Sequence, residues 1–308
     1  MWIRTRAFHV PKHGNTEAEY EDAFFPENEV HREVTEFRCA AADGATESAF
    51  SGLWAQLLVR GFGRRRLRVQ QLQRVWQRVI SRTPLPWYLE AKVPQGAHAA
   101  FVGLSIHESQ RHAETPQEAP LAAHAATAPG AATAADAGAD DESETDAHWL
   151  DPAPAVLLPA QCDSTEAEAA SSQTATAGHW RALAIGDTCL FHVRENAMIE
   201  VGPLQKSDEF DSRPVLLASR GPQQLAGSDT HVRMLGGTWR SQDTFYLVTD
   251  ALAKWMLEQH EAGVSPWQVL QELGTDAEEV PFERLIADLR SSKALHNDDT
   301  TLLRVEVV

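Results

Sequence analysis

The stretch FRCAAADGATES, Phe37 to Ser48, joins a run of small and apolar residues to an acid and a glycine. The run before Asp43 is typical of a buried strand, and Gly44 with the polar residues after it indicates a turn. A carboxylate at the end of a buried strand is costly unless it is hydrogen-bonded, paired or bound to a cation. Two interpretations of Asp43 are therefore open, a turn residue and a metal ligand.

The rest of the chain contains more strand-like runs and two groups of helical segments. The helical period appears from about Ser48 to Ser81, broken near RGFGRRR, and again in ALAKWMLEQHEAG, PWQVLQEL and PFERLIADLRSS. The strand-like runs are EFRCAAAD, AAFVGLSI, WRALAIG, CLFHVRE, TFYLVTD and TTLLRVEVV. Because the helices are segregated from the strands, the order predicts an α+β fold with antiparallel sheets.

Residues 109–177 differ in composition from the rest of the chain. They contain twelve Asp and Glu against a single Arg, a net charge of −11 out of −17 for all 308 residues, and they are rich in Ala. Such a segment buries too little apolar surface to offset the entropy of ordering it. We therefore expect one domain over 1–308, interrupted by a disordered acidic insertion at 109–177. AAFVGLSI and WRALAIGD would be hairpin neighbours on either side of it.

Charge and cysteine content exclude several classes of protein. A net charge of −17 argues against a nucleic-acid partner, which needs clustered Lys and Arg. Cys39, Cys162 and Cys189 form no C-x-x-C pair, as expected in a reducing cytosol. The first residues lack the apolar core of a signal peptide, and no apolar run approaches membrane-spanning length. We expect a cytoplasmic monomer without a membrane partner.

One basic run, RGFGRRRLRVQQLQRVWQR, stands against the acidic balance of the chain. It is open to three interpretations: an anion- or acid-binding surface, a partner for the acidic insertion, or the solvated face of a helix. The solvated face is the commonest use of such a run, and it is the interpretation we favour here.

Acids occupy equivalent positions at the ends of several predicted strands. Beside Asp43, they are Glu21 and Asp22 before AFF, Asp250 at the end of FYLVTD, and Asp298 and Asp299 before TTLLRVEVV. If these strands share one end of a sheet, their carboxylates repel one another. A hard divalent cation with oxygen ligands would relieve that repulsion.

Five motifs, in order along the folded part, resemble those of the metal-dependent PPM-type (type 2C) serine/threonine protein phosphatases, bacterial-like members included. They are EYEDAFF, AAADGATESAFSG, ALAIGDTCLFHVR, FYLVTDALAKW and NDDTTLLRV. The resemblance implies a central antiparallel β-sandwich flanked by helix pairs, with two Mn²⁺ or Mg²⁺ ions at one end. It also implies a phosphoserine or phosphothreonine residue of a phosphoprotein as the substrate.

The resemblance also assigns roles to individual residues. Asp43 would bridge the two ions, the carbonyl of Gly44 would bind one directly, and Glu21 would act through a metal-bound water. A metal-bridging water would attack the phosphomonoester directly. The acidic metal ligands would be Asp22, Asp43, Asp250 and Asp298, and matching Thr301 to the family threonine selects Asp298 over Asp299.

This sequence departs from the family pattern near the substrate. The arginine expected before the first acid pair has no match; Arg6, Lys12 and His13 are the possible substitutes, and we choose Lys12. ATES replaces the usual glycines after Gly44, and Ala251 stands where glycine is common. Two alternatives therefore stay open: a phosphatase-like pseudoenzyme or binding module, and a hydrolase of small phosphomonoesters.

Overall fold

The computed structural model describes residues 1–85, 87, 91–109, 177–210, 214–221, 232–274 and 281–308. The strands are β1 Trp2–Val10, β2 Ala23–Phe25, β3 Val30–Glu33, β4 Glu36–Gly44, β5 His98–Glu108, β6 Ala177–Ile185, β7 Cys189–Arg194, β8 Ala197–Gly202, β9 Leu217–Ala218, β10 Arg233–Arg240, β11 Thr244–Val248 and β12 Thr300–Val307. The helices are α1 Ser51–Gly63, α2 Val69–Ile80, α3 Asp250–Glu261, α4 Trp267–Glu272 and α5 Phe282–Ser291.

The strands form two antiparallel sheets. One has the order β3-β1-β12-β11-β7-β8, and the other the order β10-β6-β5-β4-β2, with β9 beside β5. All six predicted strands are present. The structure adds six more, β1, β2, β3, β8, β9 and β10. Of these, β3, β8 and β10 are edge strands with mostly exposed or half-buried side chains, which give a weak apolar signal in the sequence.

The two sheets pack face to face around one apolar core. Cys39 of β4 and Leu104 of β5 belong to the same buried cluster as Leu247 of β11 and Val305 of β12. Alternate residues of these strands face helices on the outside, so both faces are covered. Burial on both faces explains why the middle of β4 (CAAA) and the middle of β5 (AAFVGL) are continuous runs of apolar and small residues instead of alternating ones.

Helices cover the outer face of each sheet. On one side, α1 lies across β4 and β5, and Phe62 packs onto Gly103, where a Cβ would lie 2.8 Å from its ring. On the other side, Leu252 and Met256 of α3 join a buried cluster with Tyr246 of β11. The predicted α+β fold, an antiparallel sandwich flanked by helices, is confirmed.

The residues on either side of the predicted insertion are hairpin neighbours, as expected. β5 and β6 pair antiparallel from Phe101 opposite Ile185 to Glu108 opposite Gly178. Residues 110–176 lie outside the described part of the chain, so the predicted disorder of this insertion stays a prediction. None of the helices described is long and apolar enough to cross a membrane.

Candidate metal centre

The sheet topology brings the predicted acids to one end of the sandwich. In one sheet, β2 and β4 are antiparallel neighbours, with Ala23 opposite Ala42. Asp22, just before β2, and Asp43, near the end of β4, therefore lie side by side at the same end of the sheet.

The second sheet delivers two more acids to that end. β11 and β12 are antiparallel neighbours with Val248 opposite Leu302. Asp250 follows β11 and is the first residue of α3, and Asp298 precedes β12, so both lie at the same end of this sheet. Four strand termini from two sheets thus converge on one site.

Electrostatics shows that these carboxylates act on one another across the sandwich. Enclosure by the protein raises the pKa of Asp43 well above its usual range, and the charges of Asp22, Asp250, Asp187 and Asp298 raise it further. None of these influences comes from a basic side chain. Basic side chains act on other acids of the cluster instead: the charge of His296 lowers the pKa of Asp250, and Arg290 interacts with Asp298 and Asp299. Around Asp43 itself, acidic charges therefore predominate.

The pKa values of two further acids of the cluster, Asp22 and Asp250, are also raised. Burial raises the pKa of Asp22 well above its usual range, against the hydrogen bond from Thr301. Desolvation and the charge of Asp298 raise the pKa of Asp250 to about 6. Asp22 is buried, while Asp43, Asp250 and Asp298 are partly exposed. The cluster is thus open to solvent on one side.

Asp22 is held by a chain of hydrogen bonds. Thr301 Oγ1 donates to Asp22 Oδ2 at 2.6 Å, and the Tyr20 hydroxyl is in turn hydrogen-bonded to Thr301 Oγ1. The Thr301 backbone N–H donates to Thr249 Oγ1 at 2.9 Å. Asp22 Oδ1 is buried and has no hydrogen-bond partner in the part of the chain that the structure describes. A buried carboxylate oxygen without a donor is what a cation would satisfy.

The adjacent acids Asp298 and Asp299 have different surroundings. Asp299 accepts backbone hydrogen bonds from Lys12 at 2.8 Å and from Glu21 at 2.7 Å, so it fastens two loops to the start of β12. Asp298 instead acts electrostatically on Asp43 and Asp250. The choice of Asp298 as the ligand stays a prediction, and these contacts favour it.

The structure gives a steric reason for glycine at position 44 that the sequence did not suggest. A Cβ on Gly44 would lie 2.6 Å from the backbone oxygen of Glu21 and 2.8 Å from the backbone carbon of Ser51. Glycine is therefore required for β4 to end against both loops, whether or not its carbonyl binds a cation. The Ser51 hydroxyl donates to the Glu21 carboxylate, which places this acid at the edge of the cluster.

Of the three candidate phosphate-binding cations, Lys12 lies nearest the acids. Its Nζ donates to Thr46 Oγ1 at 3.4 Å, and its charge lowers the pKa of Glu21, which desolvation raises. Arg6 instead makes an ion pair with Glu29 at 3.6 Å. His13 is exposed and bonds through its backbone N–H to Asn297.

The donor set fits a hard divalent cation, although the side chains are not arranged as a finished coordination shell. Within the described ranges, no group of three His, Cys, Asp or Glu side chains is placed to hold a metal ion. Two observations support the fit. Asp22 Oδ1 has no hydrogen-bond partner among the described residues, and the carboxylates repel one another. Carboxylate oxygens are the ligands that Ca²⁺, Mg²⁺ and Mn²⁺ prefer.

Sequence reasoning missed several residues that shape the site. Tyr20 and Thr249 belong to the hydrogen-bond chain around Asp22, and Ser51 holds Glu21. Their only signal was proximity to a predicted acid. Asp187, which lies in the motif ALAIGDTCLFHVR, is buried, and its charge raises the pKa of Asp43.

Comparison with known proteins gives matches among solved structures alone. No family model matches the sequence, and no curated protein matches it. Three of the similar structures are RsbX in complex with magnesium (13% identity, 100% of this chain, 96% of that chain, TM-score 0.43), the catalytic domain of the serine/threonine protein phosphatase PstP in complex with two manganese ions (11%, 99%, 99%, 0.46), and the PPM Ser/Thr phosphatase MsPP from Mycobacterium smegmatis in complex with cacodylate (11%, 99%, 98%, 0.42).

The structures to which this chain is similar are thus PPM-type serine/threonine phosphatases, the family that its sequence motifs resemble. The identities of 10–13% and the TM-scores below 0.5 are too low for these matches to support an activity. We base the proposed function on the residues of the site itself.

Proposed function

We propose that this chain is a Mn²⁺- or Mg²⁺-dependent phosphatase that hydrolyses phosphoserine and phosphothreonine residues of proteins. The observation that carries the proposal is the convergence of Asp22, Asp43, Asp250 and Asp298 on one end of the sandwich. The pKa values of Asp22, Asp43 and Asp250 are raised, in part by the charges of neighbouring acids, and Asp22 Oδ1 has no hydrogen-bond partner among the described residues. Buried and like-charged carboxylates are costly, so their presence favours a cation-binding role.

The metal ligands would be the four aspartates and the Gly44 carbonyl. Two bound divalent cations supply an acidified water and neutralise the oxygens of a phosphate group. The chain supplies the positions of these groups. β2, β4, β11 and β12 fix the four carboxylates on rigid strand ends, and Thr301 fixes the rotamer of Asp22 by its 2.6 Å hydrogen bond.

Two residues at the rim would act on water and substrate. Glu21, held by the Ser51 hydroxyl, is placed to orient a water beside the aspartates. Lys12 would bind a phosphate oxygen of the substrate, in place of the missing arginine. The Asp299 carboxylate holds the Lys12 backbone N–H, and among the described residues the Lys12 ammonium group makes one weak contact, at 3.4 Å with Thr46 Oγ1. That group is therefore free to turn towards an anion.

The decisive experiment is hydrolysis of a chromogenic aryl phosphate and of a phosphothreonine peptide by the full chain, with Mn²⁺ and with EDTA. We expect activity with Mn²⁺ alone, and its loss in Asp43→Asn. Asp208→Asn is the matched control, because Asp208 is an exposed acid in a 3-10 turn after β8. Isothermal titration with Mn²⁺ separates binding from catalysis.

The same experiment distinguishes the alternatives. Activity that survives EDTA, or that is unchanged in Asp43→Asn, contradicts the metal mechanism. Tight Mn²⁺ binding without hydrolysis would identify a phosphatase-like binding module, which the incomplete coordination shell also allows. Hydrolysis of aryl phosphate but of no phosphopeptide would favour a small phosphomonoester as the substrate.

A further inference from the structure

An arginine-rich surface lies on α2 and on the loop before it. Between Ser48 and Arg82 the sequence contains eight Arg and no Lys, Asp or Glu, in a chain whose net charge is −17. Arg74, Arg78 and Arg82 follow one another at intervals of four, so they share one side of the helix and the turn after it. All three are exposed, and so are Val75 and Val79 beside them.

Within the described part of the chain, no acid neutralises this surface. The neighbouring Arg60 pairs with Glu27, and Arg65 pairs with Glu36. The guanidinium groups of Arg74, Arg78 and Arg82 make no ion pair or hydrogen bond with the described residues. Like charges four residues apart in a helix, as Arg74 and Arg78 are, destabilise it. The helix retains them nonetheless.

The arginines do not serve to hold α2 in the fold. The opposite side of the helix does so: Trp76 is fully buried, and Gln73 Nε2 donates to the carbonyls of Ala218 at 3.1 Å and Gly221 at 3.2 Å. The attachment of the helix is thus complete without the exposed side. That side is available to another molecule.

The helix runs from the far end of α1 back towards the candidate metal centre. Leu72 packs against Gly61 near the end of α1, whereas Trp76 Nε1 donates to the carbonyl of Phe50 at 3.3 Å, just before α1 begins. The next residue, Ser51, holds Glu21 at the rim of the acidic cluster. Arg78 and Arg82 come after Trp76 and so continue the arginine row in that direction.

We propose that the surface formed by Arg74, Val75, Arg78, Val79 and Arg82 binds an acidic peptide segment that flanks the phosphorylated residue of the substrate. This inference rests on the proposed function and specifies its substrate class. Guanidinium groups pair with carboxylates, and the two valines offer apolar contact to the peptide between them. The largest apolar side chains of α2, Trp76 and Ile80, are already buried, and the two exposed valines alone form too small an apolar face to enter a membrane.

Binding is tested first without catalysis. The probe is a fluorescein-labelled, unphosphorylated peptide of Asp, Glu and Ala, titrated with the metal-free full chain and followed by fluorescence anisotropy. A peptide with Gln and Asn in place of the acids is the comparison. We expect the acidic peptide to bind at least tenfold tighter, and the difference to shrink with added salt. The triple variant Arg74→Gln, Arg78→Gln, Arg82→Gln should lose at least tenfold in affinity for it.

The matched control is Arg233→Gln, Arg240→Gln, Arg284→Gln, which removes three exposed arginines from β10 and α5 and makes the same change in net charge. Equal affinity of the two triple variants for the acidic peptide overturns the proposal. Tighter binding of single-stranded DNA or of anionic lipid vesicles than of the peptide overturns the choice of partner. Peptide binding by a chain that hydrolyses no phosphate would leave the docking surface standing and refute the proposed function alone.

Discussion

Strand β11 has an aspartate at each end, and the two aspartates have opposite electrostatic surroundings. Asp243, before the strand, is fully buried and accepts hydrogen bonds from Arg194 Nε and Nη2, each at 2.7 Å, from His192 Nε2 at 2.8 Å and from the Arg240 backbone at 2.9 Å. Asp250, after the strand, faces other acids, and its carboxylate is hydrogen-bonded to the Ala251 backbone and to the side chain of Asp43, another acid.

The pKa values follow these surroundings. The hydrogen bonds from Arg194 and His192 outweigh burial and lower the pKa of Asp243 to about 2, whereas desolvation and Asp298 raise that of Asp250 to about 6. One end of the strand thus has its acid neutralised for stability. The other has acids whose charge is left for a ligand. The contrast separates a structural carboxylate from a functional one.

The largest effect on stability should come from removing Asp243, the acid that is fully hydrogen-bonded. Asp243→Ala leaves Arg194 without its carboxylate, and removal of one partner of a buried ion pair costs about 3–5 kcal/mol. We expect a loss of unfolding free energy of this size in chemical denaturation. The control Glu33→Ala, which removes an exposed acid from β3 of the same sheet, should cost far less. A cost below about 1 kcal/mol for Asp243→Ala would contradict the structural role.

The pH dependence of stability sharpens the same point. Because folding lowers the pKa of Asp243 from 3.8 to about 2, its contribution is full above about pH 4 and is lost as the pH falls through 2. A shift of this size corresponds to about 2.5 kcal/mol. The stability difference between the wild type and Asp243→Asn should therefore shrink by about that amount between pH 6 and pH 2. A difference that is constant over this range would disprove the assignment.

At the other end, the hydrogen-bond chain around Asp22 should affect metal binding more than stability. Thr301→Val keeps the shape of the side chain but removes the donor to Asp22 Oδ2. We expect Mn²⁺ affinity to fall by about 10–100-fold, as for other residues that orient a metal ligand. Tyr20→Phe, one hydrogen bond further away, should give a smaller loss. Isothermal titration measures both.

Thr5→Val is the control for this pair of variants, because the buried Thr5 hydroxyl binds the Val30 backbone instead of an acid of the cluster. It should leave Mn²⁺ affinity unchanged. If all three variants bind Mn²⁺ as the wild type does, then Thr301 and Tyr20 only fill space.

The sequence predicts the ends of β11 unequally well. Asp250 follows an apolar run and belongs to a motif, so its place beside the other acids could be predicted. Asp243 lies in the turn SQDT, and nothing local shows that it meets His192 and Arg194, which are about fifty residues away in the chain. Long-range pairing of polar groups has no periodic signal, whereas strand register and strand-end acids do.

The same limit explains what was missed at the site. Four of the acids sit at strand ends that apolar patterning reveals, but the hydroxyls of Ser51 and Thr301 act across 30 and 279 positions. The sequence indicated a turn at Gly44. It did not show that a Cβ there would clash with the backbone of Glu21, because only the folded structure brings these two residues together. Edge strands such as β10 were missed because exposure on one side leaves a mixed polar sequence.

The smallest effect has the opposite sign and is the sharpest test of the comparison. Asp43 is surrounded by acids, so Asp43→Asn should relieve repulsion and raise the unfolding free energy of the metal-free chain by about 0.5–2 kcal/mol. Addition of Mn²⁺ should stabilise the wild type but not the variant, because only the wild type retains the ligand. Thermal unfolding in EDTA and in Mn²⁺ gives all four values. A variant that is less stable than the wild type in EDTA would show that Asp43 is a structural acid like Asp243, and the distinction between the two ends of β11 would fail.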